Sequence, residues 1–414
     1  MTTTSPDPDP RAAAVAAWRS WCARLADIGE TVLTDPLVTG ERDLADGLRH
    51  LARQLVFATQ WHLEFDDPER PALYRSNDDV TPWGGPNADN TYLRARIDPT
   101  GTYRLRADVT GCRDLIIAVS EGDMSLGRPA VHHEIGARDL HPAGGHLDLV
   151  VAPRPPATDT GEPFTPGARV GGSPVDWLPT HPDSTLLTIR VYVTDWDRDR
   201  VPDFTLERLD IDPGPAPPLT LEAVTGHLDD AAEWMAVGIP FWLRFLELAA
   251  GAAEPNVLSP PRRPEGGALT IAYGAGFWDL DDEQAWLITV DPPRAEQWSI
   301  QTHTWPWFES GDLAARQTSL NSHQVHLDPD GRARIVVSSR DPGVPNWLDT
   351  EGRATGMVVY RWIATRDDPT PASLVVPLAD LADHLPDEHP AVTPDERRRR
   401  LARRRLAVQR RFRR

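Results

Sequence analysis

Apolar residues recur at helical spacing twice near the start of the chain, over residues 12–33 and 41–65, where Leu44, Leu48, Leu51, Leu55 and Ala58 fall on one face. The spacing predicts two opening helices. From Tyr92 the pattern changes to strict alternation over 92–97 and 103–109, with Pro99-Thr-Gly-Thr102 between them as a turn. Short alternating or apolar runs follow at 114–120, 146–151, 185–193 and 204–209, separated by glycine- and proline-rich clusters. They predict an antiparallel sandwich.

Asp212-Pro-Gly-Pro-Ala-Pro-Pro218 reads as a linker, and residues 219–253 read as two helices kinked or separated at Pro240. A second β region follows, with strands predicted at 284–290, 297–304, 324–327, 332–338 and 357–364. Asp328-Pro-Asp-Gly331 supplies a hairpin turn there. The fold class is therefore mainly β, α+β overall, with two sandwiches, a helical N-terminus and a helical connection. The boundaries fall at 1–11 (disordered), 12–66 (helical), 67–213 (first sandwich), 214–265 (connection and linker), 266–380 (second sandwich) and 381–414 (arginine-rich tail). A chain of 414 residues exceeds what one hydrophobic core supports, which agrees with two domains.

Charge changes this picture at the C-terminus. Residues 397–414 hold 11 of the 43 basic side chains and no acid, leaving a body at −30 in a chain at −19 overall. An acidic body repels phosphate backbones and anionic membranes, so no DNA partner is expected. The tail is expected as a solvated extension or as a helix lying against an acidic surface.

Lysine is absent, which excludes Schiff-base chemistry, phosphate-loop NTPases and kinases. Two cysteines, Cys22 and Cys112, are too few for a thiolate zinc site or an iron–sulfur cluster. No cofactor is expected. Thr2 to Pro10 shows no secretory pattern, and the longest apolar stretch, 235–253, is broken by Gly238, Pro240, Arg244 and Glu247. The expectation is a cytoplasmic protein with no membrane span.

Polar and aromatic residues concentrate in Trp305-Pro-Trp307-Phe-Glu309, in Arg316-Gln317-Thr-Ser-Leu-Asn321-Ser-His323-Gln324, and in Asp341-Pro-Gly-Val-Pro-Asn346-Trp347-Leu-Asp349. With Arg361-Trp362, these strings resemble the bacterial domain of unknown function 1214 over about residues 268–378. The resemblance implies a jelly-roll-like second sandwich, frequently paired with another, and no established reaction. Asn87-Ala-Asp-Asn90-Thr-Tyr92 also resembles a string found in such proteins.

Trp305, Trp307 and Trp347 offer flat apolar faces; Gln317, Asn321, Gln324, Asn346 and Arg361 offer hydrogen-bonding groups, a mixture suited to a polar, sugar-like ligand. Glu309 with Asp341 or Asp349 would be paired carboxylates, one donating a proton and the other ionised. The leading expectation is thus a carbohydrate- or glycoconjugate-acting hydrolase. The structural alternative has Asn346 and Asp341 capping a turn, the tryptophans in the core and Glu309 paired with Arg316 or Arg361. Two other readings stay open: a non-catalytic small-molecule binding or assembly protein, and a metal enzyme using His132, His133 and Glu134 with His141 and His146, although these match no strict metal template.

Overall fold

The computed structural model describes residues 9–412. Most of the segment expected to be disordered, residues 1–11, lies outside the described residues; from Pro10 the chain is helical. Helix α1 (Pro10–Leu33) starts with proline in its first turn and Asp9 accepting from the Arg11 amide at 3.0 Å, a start that suits proline's missing N–H. Helix α2 (Glu41–Glu64) follows. Both pack on α3 (Leu221–Gly251) through Trp21, Ile28, Phe57, Trp61, Trp234 and Met235.

Residues 219–253, expected as two helices, form this one helix with Pro240 inside it. Met235, Ile239, Leu243 and Leu246 are all buried at helical spacing across the proline. Burial along that continuous face outweighs the one backbone hydrogen bond that proline removes.

The first β region contains β1 (Tyr74–Ser76), β2 (Asn90–Arg96), β3 (Tyr103–Asp108), β4 (Asp114–Ser120), β5 (Val131–Gly136), β6 (His146–Ala152), β7 (Ala168–Val170), β8 (Ser173–Pro179), β9 (Leu186–Tyr192) and β10 (Phe204–Arg208). They form two sheets, β1-β2-β9-β4-β5 and β10-β3-β6-β8-β7. Leu105, Ile117, Leu149, Leu187 and Ile189 fill the space between them.

The second region contains β11 (Ile271–Asp279), β12 (Gln284–Val290), β13 (Gln297–His303), β14 (Ser319–Asn321), β15 (Ala333–Ser338), β16 (Trp347–Asp349), β17 (Thr355–Ile363) and β18 (Ala372–Pro377). Its sheets are β11-β17-β13-β14 and β16-β15-β12-β18, closed over Trp278, Trp286, Ile300, Ile335, Tyr360 and Trp362. The mainly β, two-sandwich architecture expected from the alternation is present.

Two details differ. Each region carries one parallel pair, β6 with β8 and β15 with β16, and in the first region an antiparallel sandwich was expected. Residues 324–327 are not a strand: the Asn321 carbonyl takes the amides of Gln324 and Val325, and the Asn346 side chain brackets His326. Side-chain hydrogen bonding there replaces a ladder.

The sandwiches meet through the outward faces of β2, β9 and β4 on one side and β11, β17 and β13 on the other. Ile116, Tyr192, Ala268, Ile271 and Ile363 pack between them. A strap, residues 84–90, runs through this joint. Gln301 donates to the Pro86 carbonyl and accepts from the Ala88 amide, and Asn321 donates to Asp89 at 2.7 Å.

The arginine-rich segment folds as α4 (Pro394–Phe412) and lies against the body. Arg397, Arg404 and Arg411 stand seven residues apart on its packed side. Arg397 forks onto Asp341 and donates to Gln317; Arg404 donates to the carbonyls of Leu313 and Ser319; Arg411 donates to that of Ala88. Among the described residues, no helix is long and apolar enough to cross a membrane.

Candidate functional site

Two concavities of comparable size flank the strap. The smaller, about 360 Å³, is lined by α2 and by the loops at 310–316 and 351–353. Its charges are largely matched: Arg353 pairs with Asp46 at 2.6 Å and with Glu351 at 3.6 Å, and Arg49 pairs with Asp46 at 3.0 Å. Fixed pairs of this kind hold neighbouring elements together and leave little charge for a ligand.

The larger cavity, about 450 Å³, opens between the two sandwiches. Alternation along the strands puts Tyr92 and Arg94 of β2 and Thr188 and Arg190 of β9 on one wall. Tyr273 and Ala275 of β11, with Met357, Val359 and Arg361 of β17, form the facing wall. Trp242 and Phe245 of α3 and Phe308 close one end. The strap contributes Gly84 and Gly85; a Cβ at Gly85, whose φ is +67°, would sit 2.3 Å from the Phe308 ring, so only glycine fits against that wall.

Besides the exposed Arg262, two guanidinium groups in this cavity, those of Arg190 and Arg361, have no carboxylate at ion-pairing distance among the described residues. Arg361, buried on β17, donates from Nη2 to the Gly85 carbonyl at 2.6 Å and lies 5.8 Å from the Tyr273 ring, while its buried Nη1 has no partner. Arg190 Nη1 is likewise buried without a partner. Burial works against the charge of Arg190, but Tyr273, Tyr192 and Tyr92 around it more than offset this and hold its pKa up. By contrast, Arg94 is spoken for: it donates to Asp123 at 2.7 Å and stacks 4.2 Å from Trp61.

The residues singled out from the sequence are placed otherwise, Arg361 excepted. Glu309 is buried, with His50 Nδ1 2.7 Å from Oε1 and Arg53 donating to Oε2; these partners come from α2, and neither Arg316 nor Arg361 is among them. Asp349 accepts from Arg316 at 2.9 Å, and burial raises its carboxyl although that arginine opposes the rise. Asp341 caps the Gly343 amide at 2.9 Å and takes the fork of Arg397.

Trp307 lies in the helical core, stacked 5.3 Å from His50, and Trp305 meets Phe277 edge-on at 5.7 Å. Trp347 is buried under Arg397, its indole donating to Ser338. Gln317 donates to the carbonyls of Pro345 and Trp347, Asn346 brackets His326, and Asn321 holds the strap; Gln324 Oε1 is buried without a partner. The three carboxylates thus each meet an arginine.

The histidine string lies on the edge strand β5. His132 stacks on His181 at 4.0 Å, while Glu134 accepts from the amides of Leu269 and Thr270 and so clips the first sandwich to the second. His141 pairs with Asp176 at 2.9 Å and His146 is exposed on β6. These side chains do not converge.

Residues 276–367 match the model of a family described as a protein of unknown function, DUF1214, in agreement with the resemblance read from the sequence. Among solved structures, the chain is similar to an uncharacterized protein from Burkholderia cenocepacia. The likeness has a TM-score of 0.77 at 26% identity, covering 88% of this chain and 97% of that one. The VPA0106 protein from Vibrio parahaemolyticus is matched with a TM-score of 0.45 at 13% identity, over 85% of this chain and 100% of that one. No curated protein matches the chain.

Proposed function

We propose that the chain is a small-molecule binding protein whose ligand is an organic anion with an apolar body, held in the cavity between the sandwiches. The observation that carries this is the pair Arg190 and Arg361, on facing walls, each with a buried Nη1 that nothing in the described protein accepts from. A buried donor without an acceptor is destabilising by about 1–3 kcal/mol. A carboxylate or phosphate placed between the two would relieve both at once with charge-assisted hydrogen bonds. Trp242, Phe245, Phe308, Met357 and Val359 would then bury its apolar part.

The hydrolase expected from Glu309, Asp341 and Asp349 is the weaker reading. It needs two carboxyl groups facing one substrate, and each of the three is engaged by an arginine.

Calorimetry and thermal shift with 4-phenylbutyrate and its neutral amide test the proposal. A charge-assisted hydrogen bond contributes about 1.5–3 kcal/mol, so the carboxylate is expected to bind roughly ten- to a hundredfold more tightly than the amide. Arg190→Gln and Arg361→Gln should each erase that preference. Equal binding of acid and amide by the parent would end this reading, and turnover of aryl glycosides lost in Glu309→Gln would reinstate the hydrolase.

A further inference from the structure

Outside the cavity, His62, in the last turn of α2, has an unmet polar demand. It is 6% exposed, and both ring nitrogens are buried without a hydrogen-bond partner among the described residues. An imidazole in that position ordinarily finds at least one acceptor or donor. What lies beside it instead is a pair of carboxylates. One ligand atom each from His62, Asp66 and Asp230 fall within 4.8 Å of one another, the one such group of three among the described residues.

We propose that His62, Asp66 and Asp230 bind one divalent transition-metal ion, zinc being the probe of choice, which pins the end of α2 to α3. The donor set is one imidazole nitrogen and two carboxylate oxygens with no thiolate, which suits an ion of borderline hardness and leaves a position for water. Ligand distances near 2.0–2.2 Å about zinc place tetrahedral donors roughly 3.4 Å apart, so atoms as much as 4.8 Å apart draw together by up to about 1.4 Å when the ion binds. Arg96 donates to Oδ1 of Asp66 at 2.5 Å, orienting that carboxylate from behind and leaving Oδ2 for the ion. Asp230 is exposed on α3 and gives the ion a route in.

The whole of the first sandwich lies between Asp66 and Asp230 in sequence, yet α2 and α3 pack against each other, so the site needs no rearrangement of the fold. Calcium, which takes six to eight oxygens, is a poor match for an imidazole.

The test uses the full chain stripped with EDTA and titrated calorimetrically with zinc and, separately, calcium. One equivalent of zinc is expected, with affinity weakened at least about tenfold in His62→Gln and in Asp230→Asn. Asp230→Asn changes an exposed side chain, so it keeps the test valid if His62→Gln fails to fold. Absence of zinc binding, zinc binding undiminished in Asp230→Asn, or a preference for calcium would each overturn the proposal.

Discussion

Arg190 and Asp114 lie on the same sheet and face burial in opposite ways. Arg190 has tyrosines that support its charge, whereas Asp114, half-buried at the start of β4, has its carboxyl pushed up to about 6 by burial. An unfolded aspartate titrates near 3.9, so between about pH 4 and 6 the folded chain holds a proton that the unfolded chain has released. This contribution is therefore full below about pH 4 and is lost as the pH rises through about 6. Asp114→Asn keeps an acceptor for the Leu115 amide and removes the charge. It should stabilise the protein at pH 7 by about 1–3 kcal/mol, with no gain at pH 4, in urea melts at the two pH values.

At this scale the sequence revealed residue types better than their partners. Arg361 was visible as a candidate because it belongs to a recognisable string, but Arg190 sits in an ordinary alternating strand, and nothing local distinguishes an arginine that ends up beside three tyrosines. Glu309 was legible as important; its partners His50 and Arg53 come from a helix some 259 and 256 positions away. Likewise the i, i+4 spacing of His62 and Asp66 is readable, while Asp230 joins them only through helix packing.

Among the elements, α1 and α2 were readable nearly to the residue, because their apolar faces repeat over six turns. Strand β11 was not. It carries Gly274 and Gly276, and glycine weakens a strand's pattern; a Cβ at Gly274 would come within 2.1 Å of the Tyr360 ring, so that glycine makes room for a core aromatic inside a strand. Helix α4 was legible as charge and not as packing. The signal was the spacing of Arg397, Arg404 and Arg411, obscured by the other arginines of the segment, together with Val408 and Phe412 on the same side. Phe412 is 2% exposed, so Phe412→Ala should cost about 3–5 kcal/mol by chemical denaturation, while truncating Leu406, which is 58% exposed, should change little.

The molecule as a whole is held together at a joint in which one short strap has two clients. Gly84, Gly85 and Pro86 wall the cavity, and two residues further on Ala88 receives Arg411 of α4. Sites that share a rigid element are coupled, and the coupling is reciprocal: whatever steadies the strap for one client steadies it for the other. Trypsin makes this visible, because in a chain without lysine it cleaves only after arginine, and α4 carries the densest run of such bonds. The bonds after Arg397 and Arg404 become cleavable only when the helix lifts away, so the rate of nicking there is a clock for its detachment. Saturating 4-phenylbutyrate should slow that clock in the parent and leave it unchanged in Arg361→Gln, followed by mass spectrometry of the released peptides. A cavity whose occupancy is reported by the protease resistance of a distant helix would make the C-terminal segment the readable output of whatever the protein binds.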